Sequence, residues 1–231
     1  MVRRPEDFNM IQLQNIVKSY PMGKRELTVL QGINLNIDKG EMVAIMGPSG
    51  SGKSTLLNLI GLLDKPTSGS YLLEGKEVGQ LGGRELSKVR AQKIGFIFQS
   101  FNLLPYLSAI DNVELGQEYA GKEDSQAAKD ALIKLGLEDR INHRPNELSG
   151  GEQQRVAVAR ALAKDPPIII ADEPTGNLDS KASKEIMTVL SNLHTERNIT
   201  LIMVTHDPNI ARYCQRIIHI EDGQVLSEEK L

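Results

Sequence analysis

The sequence predicts an α/β protein with a mostly parallel core sheet, a small antiparallel β-lobe at the N-terminus and a helical insert. Three observations predict it. Four short, continuous apolar runs each end in polar residues with chemistry to offer; amphipathic helical patterns lie between those runs; and the first forty residues alternate as half-buried strands instead.

The four runs come first. Met42-Val43-Ala44-Ile45-Met46 leads directly into a glycine-rich loop, and Ile94-Gly95-Phe96-Ile97-Phe98 ends in Gln99. Ile168-Ile169-Ile170-Ala171 ends in Asp172-Glu173, and Thr200-Leu201-Ile202-Met203-Val204 ends in Thr205-His206. Runs that are apolar at consecutive positions suit strands covered on both faces. In open α/β sheets ligands bind beyond the carboxyl ends of the strands, so four such ends point to one shared site.

Helices fill the intervals. Residues 53–62 continue the glycine-rich loop as a helix, and Ser180 to Glu196 place Ala182, Ile186, Val189, Leu190 and Leu193 on one stripe. Asp207-Pro208 supplies an N-cap followed by proline at the first helical position. Ser149 opens a long helix through Lys164, and residues 107–145 carry two more helices, one from Ser125 to Leu135 with Lys129, Asp130 and Lys134 on a solvated face. Near the N-terminus, Ile11, Leu13, Leu30, Ile33, Leu35 and Ile37 are spaced as half-buried strands around a turn at Pro21-Met22-Gly23. No repeat or long linker divides the chain, so it is expected to form one domain with lobes.

Composition narrows the function. A chain of 231 residues, 40% of them apolar, can bury a substantial core. The 27 basic and 30 acidic side chains give a formal charge of -3 with no basic run, which argues against nucleic acid as a partner. No apolar stretch reaches the length of a membrane span and Met1 to Asp7 lack a signal-peptide core, so a cytoplasmic location is expected. The single cysteine, Cys214, fits a reducing compartment and reads as a space-filling residue near a strand.

Residues 47–54, Gly-Pro-Ser-Gly-Ser-Gly-Lys-Ser, match G-x-x-x-x-G-K-[ST], a pattern expected by chance in roughly one chain in a hundred of this length. Gly47, Gly50 and Gly52 allow the backbone of this loop, which includes Pro48, Ser49 and Ser51, to wrap phosphates with its N–H groups. The following helix adds its positive end. Lys53 reaches the β- and γ-phosphates, Ser54 offers a hydroxyl to Mg²⁺, and Thr55 contacts the α-phosphate. Asp172 is the expected holder of Mg²⁺-bound water, and Glu173 the base or water-orienter for phosphoryl transfer. His206, at a strand end, is placed to donate to the γ-phosphate, unless it is an ordinary loop histidine; His143, His194 and His219 have no such placement. Tyr20 is a candidate adenine stacker, although a half-buried core tyrosine would look identical.

Leu148-Ser149-Gly150-Gly151-Glu152 is the second rare string. Its S-x-x-E spacing is also a capping box, but that does not account for two glycines in a first helical turn, where each costs about 1 kcal/mol relative to Ala. A bare helix N-terminus is an anion site.

With these strings in place the chain resembles an ABC-transporter ATPase, a P-loop NTPase fold. Residues 47–54 look like Walker A, Gln99 the Q-loop, Leu148 to Glu152 the signature, Ile168 to Glu173 Walker B, Asn177-Leu178-Asp179 the D-loop and His206 the switch histidine, in the family's order over nearly the whole chain. Glu152 replaces the commoner Gln of the signature. The resemblance implies one ATPase domain, 1–231, with a β-lobe and RecA-like core at about 8–95 and 165–231 and a helical subdomain at about 100–164. It implies ATP and Mg²⁺ as cofactors, Gln99 as a metal and catalytic-site ligand, and Tyr20 as the adenine stacker. It also implies a head-to-tail homodimer in which Ser149, Gly150, Gly151, Glu152 and Asp179 complete the partner's nucleotide site.

Gly61 to Gly69, Ile94 to Gln99 with Phe101-Asn102-Leu103-Leu104-Pro105, Asp111 to Glu114 and Asp172 to Asp179 are similar to the MacB/LolD branch. That branch implies an integral membrane permease with a large extracytoplasmic domain, export of a macrolide, peptide or lipoprotein-like substrate, and residence at the cytoplasmic face of the cell membrane. The permease is expected to grip the surface near Gln99 to Val113, where Phe101, Leu103, Leu104 and Leu107 otherwise read as core packing. The alternative is a regulatory ATPase driving a cell-division or peptidoglycan-hydrolase membrane complex without solute transport. A chromosome-maintenance ATPase would need long heptad segments, a translation factor two cassettes, and a small-molecule kinase no signature string.

Overall fold

The computed structural model describes residues 9–23 and 25–231. In chain order the elements are β1 (Asn9–Met22), β2 (Arg25–Asp38), β3 (Met42–Met46), α1 (Lys53–Ile60), β4 (Ser68–Leu73), β5 (Lys76–Glu77) and α2 (Gly83–Lys93). Then follow β6 (Ile94–Phe98), α3 (Ala109–Ala120), α4 (Ser125–Lys134), α5 (Gly150–Leu162), β7 (Ile168–Asp172), α6 (Ser180–Arg197), β8 (Thr200–Val204), α7 (Pro208–Ala211), β9 (Arg216–Glu221) and β10 (Gln224–Lys230). Short 3-10 turns at Glu138–Arg140 and Pro145–Glu147 lead into α5.

The strands form two sheets. Six lie in the order β10-β9-β3-β8-β7-β6, all parallel except the edge strand β10. The other four, β2-β1-β4-β5, are antiparallel and form the expected N-terminal lobe. β1 runs through Met22 before the chain turns at Gly23, whose φ of 62° lies in the left-handed region that glycine tolerates.

Side chains of a strand alternate between faces, and the parallel sheet divides its residues accordingly. Met42, Ala44, Ile97, Ile169, Ala171, Leu201 and Met203 pack toward α5, α6 and the helical insert. Val43, Ile45, Ile94, Ile168, Ile170, Ile202 and Val204 pack toward α1 and the antiparallel sheet. Both faces are thereby covered, which is why these strands read as unbroken apolar runs. Each fully buried Ile or Val contributes about 1.5–3 kcal/mol of transfer free energy.

Helix ends follow local chemistry. Ser108 and Asp111 form a reciprocal capping box that starts α3, and Asp207 caps α7 by accepting from the Asn209 N–H at 2.8 Å. Buried Asn112 accepts from the Leu104 N–H and donates to the carbonyls of Leu104, Leu107 and Ser108, so one side chain fixes the loop before α3. α5 stops at Leu162 rather than at Lys164, because the chain reverses through Asp165 at φ 49° to enter β7. Cys214 is buried, and burial pushes its thiol up to about 12, in keeping with a packing role.

Candidate functional site

Because β3, β6, β7 and β8 run parallel, their carboxyl ends open on one edge of the sheet. A cleft of about 550 Å³ lies there, lined by Gly47, Ser49, Gly50, Gly52, Lys53, Ser54, Thr55, Gln99, Asp172, Glu173, Val204 and His206, with Val29 from the antiparallel lobe. Pro48 and Ser51 complete the loop without lining the cleft, and Ser51 lies buried beneath it.

The loop is shaped by its glycines. Gly50 and Gly52 sit at φ 83° and 102°, and Gly52 is the N-cap of α1 with no side chain over the helix end. A Cβ at Gly47 would meet the Ile220 carbonyl oxygen at 2.1 Å, whereas one at Gly50 would meet no protein atom within 4 Å. Lys53 Nζ curls back onto the carbonyls of Gly47 at 2.9 Å and Pro48 at 2.7 Å, which holds its charge over the loop.

Two carboxylates close the far side. Burial raises the Asp172 carboxyl above the ordinary aspartate range, the charge of Glu173 adds to this, and Lys53 opposes it. A divalent cation beside Asp172 relieves both effects, so the site fits Mg²⁺. Among the described residues no group of three or more His, Cys, Asp or Glu is gathered for a metal. The available donors are the Ser54 hydroxyl, the Gln99 amide and Asp172, the mixed set with which Mg²⁺ keeps waters and phosphate oxygens.

Glu173 stands at φ 48°, a left-handed conformation that a non-glycine residue adopts at a cost of about 1–3 kcal/mol. Its backbone N–H donates to the Val204 carbonyl at 2.9 Å, tying β7's end to β8. Its carboxylate meets His206 Nδ1, at 2.8 Å from Oε1 and 2.7 Å from Oε2. That hydrogen bond, and then the carboxylate's charge, raise the His206 pKa above its ordinary value. Sequence position alone makes Glu173 the base or water-orienter and His206 a donor to the γ-phosphate, but it does not show their direct pairing.

Gln99 is likewise engaged. Its Nε2 donates to Asn177 Oδ1 at 3.3 Å while Asn177 Nδ2 donates to the Gln99 carbonyl at 3.0 Å. A Cβ on Gly176 would collide with Gln99 Nε2 at 2.7 Å, so Gly176 allows this approach. Tyr20 does not line the cleft. It is half-buried in β1, its hydroxyl donates to Asp64 Oδ2 at 2.8 Å, and Lys18 Nζ lies 4.7 Å from its ring centroid.

The second string lies apart from the cleft. Ser149 is the N-cap of α5: its Oγ accepts from the Glu152 N–H at 3.3 Å, and Glu152 Oε2 accepts from the Ser149 N–H at 2.8 Å. The other Glu152 oxygen accepts from Arg140 Nε at 3.1 Å. The Ser149 backbone and side chain hold the Glu152 carboxyl below the usual glutamate range despite partial burial, with Arg140 adding to this. The substitution of Glu for the commoner Gln is therefore matched by a cation. A Cβ on Gly150 would make ordinary contacts, 3.7 Å from Leu178 at the nearest, and one on Gly151 would lie 3.4 Å from Ala182. Neither glycine has a positive φ. Asp179 caps α6 by accepting from the N–H groups of Lys181 and Ala182 at 2.9 Å, which holds its own carboxyl below the usual aspartate range. Buried Gln154 of α5 donates to the Pro174 carbonyl at 2.6 Å, linking the signature helix to the loop that carries Glu173.

A phosphate-binding loop at a helix N-terminus, with paired acidic residues on the neighbouring strand end, defines a P-loop nucleotide-binding protein. The chain belongs to the ABC transporter family, whose sequence profile matches residues 30–176. It is 52% identical over 229 residues to the ABC transporter ATP-binding protein MJ0796 of Methanocaldococcus jannaschii, covering 96% of this chain and 97% of that protein. It is 52% identical over 223 residues to the macrolide export ATP-binding/permease protein MacB of Bdellovibrio bacteriovorus, covering 96% of this chain but 34% of MacB. The dimeric post-hydrolysis structure of the MJ0796 cassette bound to ADP and Pi has a TM-score of 0.89 at 51% identity, covering 96% of this chain and 99% of that one.

The chain is accordingly an ABC transporter ATP-binding subunit and an ATP hydrolase, with relatives consistent with the MacB/LolD-type branch. The expected fold is borne out as well. No helix among the described residues is long and apolar enough to cross a membrane.

Proposed function

We propose that residues 1–231 act as one ATPase domain that binds Mg²⁺-ATP in the cleft, pairs head to tail with a second copy around two nucleotides, and powers a separate membrane permease. The observation that carries this reading is the convergence of Lys53, Ser54, Gln99, Asp172, Glu173 and His206 on one cleft. Two glycines at the start of α5 that the chain's own packing does not require add to it.

In this reading the loop amides, α1 and Lys53 bind the phosphates, and Thr55 meets the α-phosphate. Ser54, Gln99 and Asp172 would hold Mg²⁺, which when bound would neutralise charge on the phosphate oxygens. Glu173 orients and deprotonates the attacking water, and His206 positions Glu173 and donates toward the γ-phosphate. Tyr20 stacks on adenine with the ring face opposite Lys18. Ser149, Gly150, Gly151, Glu152 and Asp179 serve the partner copy's nucleotide.

The relatives named for macrolide export support a permease with a large extracytoplasmic domain and export of a macrolide, peptide or lipoprotein-like substrate. The chain then works at the cytoplasmic face of the cell membrane, with the surface from Gln99 to Val113 against the permease. Glu173→Gln tests the chemistry: ATP binding persists and turnover falls by roughly 10²–10⁴-fold. Hydrolysis at the wild-type rate would remove Glu173 from its role.

A further inference from the structure

Glu152 poses an electrostatic problem that the fold answers. A helix N-terminus carries roughly +0.5 of an elementary charge, which is what attracts an anion to α5. An ionised carboxylate in the first turn more than cancels that charge, and a triphosphate approaching Ser149 and Gly150 would meet net negative potential. Arg140 supplies the missing cation, its Nε 3.1 Å from Glu152 Oε1.

The geometry around Arg140 is fixed from behind. It ends the 3-10 turn Glu138–Arg140, its N–H donates to the Leu137 carbonyl at 2.9 Å, and its carbonyl accepts from the His143 N–H at 3.0 Å. Leu137 is fully buried in the core of the insert. The guanidinium is thus delivered to Glu152 from a rooted backbone, and Glu152 passes the constraint to Ser149 through the 2.8 Å bond to its N–H. Arg140, Glu152 and Ser149 form one chain of contacts.

We propose that Arg140 is a positioning and charge-compensating residue of the signature end: it holds Glu152 in the capping box and cancels its charge, so that α5 can receive the partner copy's triphosphate. The inference rests on the head-to-tail reading above. Side-chain exposures of 43% for Arg140 and 21% for Glu152 place the pair among partly solvated ion pairs, whose effects are modest.

The test uses the full chain carrying Glu173→Gln as parent, with ATP-driven dimerisation followed by sedimentation velocity. Arg140→Ala raises the ATP concentration for half-dimerisation about threefold to fivefold. Adding Glu152→Gln, which keeps an acceptor for the Ser149 N–H but removes the charge, returns it to within about twofold of the parent. Arg140→Lys retains the cation, loses less than Arg140→Ala, and guards against a folding defect in the alanine variant. A parent-like Arg140→Ala, or a defect that Glu152→Gln leaves unrelieved, overturns the proposal. A parent that stays monomeric at saturating ATP overturns the head-to-tail reading, and this inference with it.

Discussion

The two glycine-rich ends of this molecule differ in what demands their glycines. At the phosphate loop the demand is internal: a methyl at Gly47 strikes the Ile220 backbone at 2.1 Å, and Gly52 holds a φ of 102° with Leu30 Cδ2 2.8 Å from where its Cβ would sit. At the start of α5 the chain makes no such demand, since a Cβ on Gly150 meets nothing closer than 3.7 Å and its φ is not positive. Glycine in a helix costs about 1 kcal/mol relative to alanine. A cost that packing does not explain points to something that approaches from outside the chain.

This contrast is open to direct attack. Gly47→Ala is expected to lower stability by roughly 3 kcal/mol, because the obstacle is backbone and does not yield. Gly150→Ala leaves stability unchanged or raises it by up to about 1 kcal/mol while weakening ATP-driven association. Thermal denaturation compares the two, and equal losses of stability would erase the distinction.

A smaller effect concerns the internal wiring of the cleft. His206 is paired with Glu173, so its folded-state pKa lies above the ordinary 6.5. The sign follows: the pairing adds stability fully below the unfolded-state value, and that contribution is lost as pH rises through the raised folded-state value. A histidine NMR titration should show His206 titrating above 6.5, and Glu173→Gln should bring it down. An unchanged midpoint in that variant would mean that Glu173 is not the cause.

The parallel strands were legible because burial on both faces leaves no polar interruption, as in Ile168 to Ala171. β10 carries almost no such signal: only Val225 of Gln224–Lys230 is even partly buried, and it is joined to β9 by backbone pairing and by surface ion pairs such as Arg216 with Glu228, not by an apolar face. α2 is similarly obscure, with Leu86 its one buried residue. In the site, residue types at strand ends revealed Asp172, Glu173 and His206, but not that His206 binds Glu173, which depends on χ angles that spacing does not encode. Arg140 was hidden because its partner lies twelve residues away across two irregular turns, where a lone arginine reads as an ordinary solvated charge. Asn177 lies in the Asn177-Leu178-Asp179 string, whose pattern carries no sign of the contact its side chain makes with Gln99.

The central claim is that the exposed start of α5 completes a nucleotide site on a second copy. Ser149→Arg in the Glu173→Gln background tests it most directly, with ATP binding and oligomeric state measured on the same sample. The account predicts that ATP still binds through the phosphate loop while the protein stays monomeric. Undiminished ATP-dependent dimerisation by that variant would contradict it.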